Sequence, residues 1–188
     1  MTTTRWILVC SALAAAGCAT TEASSAGAAA TPATPTRPTV PEAIQAPASA
    51  TPAAQFYAKG TQNYRCQTGT SGAAEWKLVA PEADLFKGSD FTGAAGKHGA
   101  GPSWALDDGS GAKGDAPNAK RAPSPQSGSV PWLLIPTQSN GQPGALQGVT
   151  LVQRIETHGG AAPATGCDAS SVGAETKVPY TAIYLFYR

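Results

Sequence analysis

Val178-Pro-Tyr-Thr-Ala-Ile-Tyr-Leu-Phe-Tyr187 is the stretch of sequence that decides the fold. Large apolar side chains occupy both alternating faces of this segment, whereas a strand at the surface of a sheet is apolar on one face only. A strand that is apolar on both faces lies deep in a protein. The segment therefore predicts a buried strand of a β-sandwich or of a closed, barrel-like sheet.

The rest of the chain also carries the pattern of a β-protein. It is rich in turn-forming residues, with 21 Gly and 16 Pro, and no helical pattern lasts more than two turns. Short apolar runs bounded by turn residues predict further strands over residues 56–68, 75–79, 102–106, 130–135 and 149–157. We therefore predict an all-β fold, a single antiparallel β-sandwich or barrel-like domain with long Gly/Pro-rich loops.

Two details refine these strands. Pro81 and Pro136 are expected to end the strands that precede them, because proline has no N–H to donate to a ladder. In the last of the listed runs, alternation places Val152 and Arg154 on one face. The opposite face then carries Leu151, Gln153 and Ile155.

The first eighteen residues resemble a bacterial lipoprotein signal. Arg5 supplies a positive charge, residues 6–16 form an apolar run, and the run ends in Ala-Gly-Cys18. Such a run is short for a membrane span. We predict a signal peptide over residues 1–17 and lipidation of Cys18. The alternative is a plain secretory cleavage after Ala16, which would release the protein.

Lipidation would give the protein a membrane partner. Two or more acyl chains hold a protein stably on a bilayer. Ala19 follows the cysteine in place of the aspartate that often retains such proteins in an inner membrane. We therefore expect a cell-envelope protein, placed as an outer-membrane lipoprotein, with secretion as the alternative.

Composition divides the remaining chain in two. Residues 18–52 are mostly Ala, Thr, Ser and Pro, without aromatic residues. Such a segment buries too little apolar surface to offset its conformational entropy. We predict that residues 18–52 are a disordered linker and that residues 53–188 form one folded domain.

Two cysteines remain in the predicted domain, Cys66 and Cys167. An exported protein meets an oxidising compartment, and the pair has neither the spacing of a redox motif nor that of a zinc site. We therefore predict a structural disulfide between them, in preference to a catalytic or metal-binding role.

Several function classes lack their usual signals. The chain has 13 basic and 12 acidic residues and no basic run of the kind that binds nucleic acid. Phosphate-binding loops, zinc helices and nucleophile elbows are missing from the sequence. With two histidines, a zinc or haem site is difficult to assemble. We expect no metal, no cofactor and no nucleic-acid partner.

A series of motifs occurs in order along the predicted domain. Among them are Gly60-Thr-Gln-Asn-Tyr-Arg-Cys66, Ala80-Pro-Glu-Ala-Asp-Leu-Phe86, Lys97-His-Gly-Ala-Gly-Pro-Ser-Trp104, Ser129-Val-Pro-Trp-Leu-Leu134 and Gly173-Ala-Glu-Thr-Lys-Val-Pro-Tyr-Thr-Ala182. This set resembles the domain of unknown function DUF3455, found in secreted bacterial and fungal proteins. The resemblance implies a β-rich extracellular domain and brings no activity or site residues. Residues 109–116 are poorer in valine than the family's usual strand, so we expect less secure pairing there.

His98 is the first candidate for chemistry. It lies in a glycine-rich loop, where a ligand could approach closely and an imidazole could act as a base. Glu82 and Asp84 lie two residues apart, so an extended backbone places both on one side, where they could face His98. The structural alternatives are an imidazole bonded to a carbonyl oxygen and carboxylates that cap a turn.

Aromatic residues are the second candidates. Trp104, Trp132 and Tyr180 could form an exposed stacking platform for a ligand, or they could fill the core, which is the commoner arrangement. Asp107 and Asp108 are expected to shape a turn, and Asp168 is expected to bind local backbone donors.

Two functions remain open at the level of sequence. The favoured one is a non-catalytic binding module for a glycan, a small ligand or a protein. The alternative is an envelope or extracellular enzyme that uses His98 with Glu82 or Asp84.

Overall fold

The computed structural model describes residues 1, 2 and 35–188. Cys18, most of the predicted signal peptide and the first part of the predicted linker lie outside the described residues. The remainder forms nine strands: β1 (Pro52–Thr68), β2 (Ala74–Phe86), β3 (Ala94–Gly99), β4 (Ser103–Leu106), β5 (Gly111–Gly114), β6 (Lys120–Ala122), β7 (Trp132–Ser139), β8 (Leu151–Gly159) and β9 (Glu175–Tyr187). Three short 3-10 turns accompany them, at Glu42–Ile44, Ala116–Asn118 and Ala169–Ser171. None of these described turns has the length and apolar character of a membrane-crossing helix.

The nine strands form one antiparallel sheet that closes into a ring. Their order is β5-β4-β3-β2-β1-β9-β8-β7-β6, and β5 also pairs with β7. This second pairing closes a ring of eight strands, with β6 attached to the far end of β7. The prediction of an all-β, antiparallel, barrel-like domain is confirmed.

The valine-poor segment is the one that closes the ring. Our expectation of less secure pairing over residues 109–116 is wrong, because β5 pairs with β4 on one side and with β7 on the other. Small residues are needed there. A Cβ on Gly114 would lie 2.9 Å from Pro102 Cγ and 3.0 Å from Ile135 Cγ2.

Both faces of β9 are buried, as its sequence predicts. Tyr184 and Phe186 belong to the cluster inside the ring. Leu185 and Tyr187 belong to a second cluster on the outer face. In β8 the same alternation places Val152 inside the ring and Ile155 on the outer face.

The outer cluster is covered by residues 37–51, which we call the N-terminal strap. Ile44 is fully buried there, and its carbonyl oxygen accepts a hydrogen bond of 2.6 Å from Gln153 Nε2. The guanidinium group of Arg37 donates to the carbonyl oxygens of Ala46 and Pro47, at 3.1 and 2.8 Å. The prediction of a disordered linker is therefore wrong for this part of residues 18–52. The strap is ordered for two reasons. Ile44 and several small residues are buried against the sheet, and Arg37 donates hydrogen bonds to carbonyl oxygens of the strap itself.

Two predicted strand ends are also wrong, because β2 continues through Pro81 and β7 through Pro136. Pro81 pairs with Gln62 of β1, whereas β3 pairs with β2 only from Ala83 onwards. Proline is tolerated where a strand has a neighbour on one side only, since no ladder bond is lost there.

The predicted disulfide is present. Cys66 of β1 is bonded to Cys167, which lies in the connection between β8 and β9, and their Cα atoms are 5.4 Å apart. Asp168 follows directly and accepts a hydrogen bond of 2.9 Å from the backbone N–H of Ser170. Asp108 likewise accepts hydrogen bonds from the N–H groups of Ser110 and Ala145. Asp168 therefore binds a local donor, as predicted, whereas Asp108 binds one donor within its own turn and a distant one at Ala145.

Candidate ligand cavity

The interior of the ring contains a cavity of about 320 Å³. Leu133 and Ile135 of β7 provide part of its apolar wall, and the exposed side chains of Leu78 and Val79 lie at its rim. Polar and aromatic side chains from five strands also line it: Gln62, His98, Trp104, Arg154 and Tyr184. These side chains share the interior because each occupies an inward position in the alternation of its strand.

His98 is buried in this lining and uncharged at neutral pH. Its Nδ1 lies 2.8 Å from the carbonyl oxygen of Ser103, and a carbonyl only accepts, so Nδ1 carries the proton. The ring stacks on Trp104 with centroids 4.8 Å apart, and its centroid is also 4.8 Å from that of Tyr184. Burial lowers the pKa of His98 from 6.5 to about 4, the Ser103 carbonyl opposes this change, and the charge of Arg154 adds to it. The imidazole therefore fixes the loop through a carbonyl bond, and its Nε2 is left as an acceptor.

Glu82 and Asp84 lie on the other face of the sheet from His98. Ala83, between them, is buried and pairs with His98 across the β2–β3 ladder. Glu82 accepts a hydrogen bond of 2.7 Å from Lys177, and Asp84 is paired with Lys97.

Each of the two carboxylates therefore has a lysine as its counterion. The hydrogen bond from Lys177 is the main cause that lowers the pKa of Glu82, and the bond to Asp84 raises the pKa of Lys97. Both carboxylates share one side of β2, as the spacing predicts. All three residues border an open surface pocket of about 620 Å³, but the imidazole of His98 is buried against Trp104 and Tyr184, so the structure does not bring either carboxylate together with it.

Arg154 is a buried cation that sequence reasoning assigned to a face but not to a site. Its side chain is 8% exposed, and Nε and Nη2 both donate to the carbonyl oxygen of Pro131, at 3.2 and 2.9 Å. Within the described part of the chain, no acidic side chain forms an ion pair with it. The sequence did contain a signal for this site. Arg154 shares a strand face with the apolar Val152, and an arginine on an inward face is unusual enough to suggest a function.

Gln62 and Trp104 carry unused hydrogen-bonding groups into the same cavity. Gln62 is fully buried, and neither its amide nitrogen nor its amide oxygen has a partner at hydrogen-bond distance among the described residues. The hydroxyl group of Tyr180 is the polar group beside the amide, near enough for Gln62 to oppose the rise in the pKa of Tyr180. The indole Nε1 of Trp104 is also without a partner in that part of the chain. Sequence reasoning missed Gln62, since a glutamine within a strand of mixed polarity reads as a surface residue.

The aromatic candidates are core residues. Trp104 and Tyr180 lie inside the ring with exposures of 1% and 2%, and the hydroxyl oxygens of Tyr180 and Tyr184 are 3.4 Å apart. Burial raises the pKa of both tyrosines. Trp132 belongs to the outer cluster, under the N-terminal strap. The three residues named as a stacking platform therefore do not form one, and only Trp104 lines the cavity.

Acidic residues are missing from the described lining of the cavity. No group of three or more His, Cys, Asp or Glu side chains suited to a metal ion occurs in the ranges that the structure covers. The cavity therefore offers hydrogen-bond donors, two acceptors (His98 Nε2 and the amide oxygen of Gln62) and a buried positive charge.

Fold and cavity together define a disulfide-linked, all-β domain with a polar cavity inside a closed sheet. The model of the family described as "Protein of unknown function (DUF3455)" matches residues 47–188, and the chain belongs to this family. No curated protein and no solved structure matches the chain.

Proposed function

We propose that this protein is a non-catalytic binding module that holds a small ligand in the cavity inside the ring. The observation that carries the proposal is the amide of Gln62, which lines the cavity fully buried and without a partner among the described residues. A buried polar group without a partner costs about 1–3 kcal/mol. A ligand that bonds to the amide would remove this cost.

The size of the cavity favours a small molecule over a glycan chain or a protein. A volume of about 320 Å³ lies at the lower end of the range for small-molecule sites, roughly 300–1,000 Å³. Glycan platforms need exposed aromatic faces, whereas Trp104 and Tyr180 are buried.

The enzymatic alternative has less support. It requires His98 to meet Glu82 or Asp84, and the two carboxylates lie on the outer face, paired with lysines. The pKa of about 4 also leaves His98 a weak base at neutral pH.

The cellular location of the protein is part of the same proposal. The Ala-Gly-Cys18 signal supports a lipoprotein of the cell envelope, held at the outer membrane by its lipid. The disulfide between Cys66 and Cys167 suits an oxidising compartment of this kind. A Cys18→Ala variant should lose its membrane association in fractionated cells; a variant that stays with the membrane contradicts the lipid anchor.

The binding proposal is tested by looking for a molecule that copurifies with the full chain. Protein purified under native conditions is extracted with organic solvent, and the extract is compared by mass spectrometry with that of Ala119→Phe. Ala119 lines the cavity and is partly buried, so a phenylalanine there would fill it. Ala73→Phe is the matched control, because Ala73 is exposed on a turn.

We expect one compound to be depleted in Ala119→Phe and retained in Ala73→Phe. An extract that is identical for all three proteins, at stoichiometric sensitivity, overturns the proposal.

A further inference from the structure

The cavity contains the charge of Arg154, and no acidic side chain of the described lining balances it. We infer that the ligand is a small carboxylic acid in its ionised form, whose carboxylate pairs with Arg154 and whose apolar body lies against β7. This inference rests on the proposed function and adds the chemical class of the ligand.

The first step is the state of Arg154. Its guanidinium group has five N–H donors, and the bonds from Nε and Nη2 go to a single acceptor, the carbonyl oxygen of Pro131. A buried charge without an opposite charge is costly, so proteins pair buried arginines with anions. The described lining contains no aspartate or glutamate that could serve. An anionic ligand would supply the missing charge.

The second step is the shape of the anion. A guanidinium group is a planar fork that matches a carboxylate through two parallel hydrogen bonds. The indole N–H of Trp104 and the amide N–H₂ of Gln62 also lie in the lining and are without partners in the described residues. Both are donors that a carboxylate oxygen can accept from, so three side chains of the lining offer donors to an anionic ligand.

The third step is the charge of the anion. Arg154 is the one buried cation among the described residues of the lining, since His98 is neutral and Arg121 is exposed. A single buried positive charge balances a monoanion. A phosphate or sulfate would bring up to two charges into a site with one, and the second would remain uncompensated.

The fourth step is the body of the ligand. Leu133 and Ile135, with exposures of 6% and 3%, line the cavity together with Pro102. An apolar group placed against them gains hydrophobic burial without leaving a polar atom unpaired. The volume of about 320 Å³ limits this group to a compact one, such as a single ring.

Arg121 lies where the cavity meets solvent and could attract an anionic ligand to it. It lines the cavity from β6 and is exposed, so its charge reaches solvent. A positive group beside an opening raises the local concentration of anions, and salt weakens this effect.

The test uses matched pairs of acid and amide on the full chain. Benzoate and phenylacetate are titrated against benzamide and phenylacetamide by ligand-observed NMR and calorimetry, and inorganic phosphate is included as a competing anion. We expect each acid to bind at least roughly tenfold more tightly than its amide. Raising NaCl from about 0.05 to 0.5 M should weaken the acids and leave the amides unchanged.

Variants assign the preference to one residue. Arg154→Met keeps the length of the side chain and removes its charge, and acid and amide should then bind alike. Arg65→Met is the matched control, because Arg65 is an exposed arginine paired with Glu175 on the surface. Arg121→Gln should reduce the salt dependence while the preference for the acid remains, which keeps the test valid even if Arg154→Met fails to fold.

The outcomes separate the two proposals. Amides that bind as tightly as acids overturn the carboxylate and leave the binding function standing. Phosphate that displaces benzoate with equal affinity also overturns it, in favour of a phosphate anion. If no probe binds and no compound copurifies with the wild-type chain, both the carboxylate and the binding function are overturned.

Discussion

Gln62 and Gln153 are both fully buried, but among the described residues only the amide of Gln153 has hydrogen-bond partners. Gln153 donates to the carbonyl oxygen of Ile44 at 2.6 Å and accepts from the hydroxyl group of Tyr187. It therefore fastens the N-terminal strap to the outer face of the sheet. Gln62 lies in the cavity, where its amide has no such task.

This contrast predicts opposite effects of one substitution. In protein freed of small molecules by unfolding and refolding, Gln62→Leu should raise the free energy of unfolding by about 1–2 kcal/mol, because it removes an unpaired amide. Gln153→Leu should lower it by about 1–3 kcal/mol, because Ile44 and Tyr187 lose their partner. Urea denaturation measures both. If Gln62→Leu destabilises the ligand-free protein as much as Gln153→Leu, the amide of Gln62 is structural.

Burial of His98 predicts that acid destabilises the domain before the carboxylates titrate. The folded pKa is about 4 and the ordinary value is 6.5, so the unfolded chain binds the proton more readily. The stabilisation is complete above pH 6.5 and is lost as the pH falls towards 4, by on the order of 3 kcal/mol in all. Denaturation at a series of pH values between 7 and 4.5 measures the slope.

The charged group near the imidazole is the guanidinium group of Arg154, and the titratable group in contact with it is Tyr184, whose pKa is raised by burial. His98→Gln should remove most of the slope. His158→Gln is the control, since that imidazole is exposed. If His158→Gln removes the pH dependence of stability and His98→Gln does not, His98 is not the titrating group.

The N-terminal strap is predicted to be part of the folded unit. Ile44→Ala should cost about 2–5 kcal/mol of stability, because the side chain is fully buried in the outer cluster. Val172→Ala, at a position that is 50% exposed, should change it by less than about 0.5 kcal/mol. If both variants change the stability equally and only slightly in thermal denaturation, the strap is a disordered linker and the prediction is contradicted.

The bond between Cys66 and Cys167 is predicted to be a large contributor to stability. The two residues are 101 positions apart, and a loop of that length corresponds to about 4–5 kcal/mol in the chain-entropy treatment. The double variant Cys66→Ala/Cys167→Ala should lose this amount in denaturant unfolding. Reductant should lower the stability of the wild type and leave the double variant unchanged; sensitivity of the variant to reductant would contradict the assignment.

The sequence predicted the sheet well because its signals are local. Apolar side chains on both faces of residues 178–187 identify a strand with a layer on each side, and β9 has the ring interior on one side and the strap on the other. The alternation in β8 likewise assigned Arg154 to its face. The disulfide followed from the count of cysteines and the compartment.

The order of the strap and the composition of the cavity could not be predicted from local patterns, because both depend on contacts between residues far apart in the sequence. Residues 37–51 contain few large apolar groups, and they are ordered through Arg37 and through Gln153, about a hundred positions away. Gln62, His98 and Arg154 come from three strands and meet only when β5 and β7 close the ring. A spacing rule applied to Glu82 and Asp84 found their common side, but not that this side faces solvent.

The hydrogen bonds between Thr51 and Arg188 determine how the domain would carry a mechanical load. Two backbone bonds, of 2.8 and 3.0 Å, join these residues where the strap passes into β1. β1 is flanked by β2 on one side and β9 on the other along most of its length. A pull from the N-terminal side, once it had drawn off the strap, would act lengthwise on β1. The bonds of two ladders would then share the force in shear, so a domain tethered at that end would resist being unzipped strand by strand.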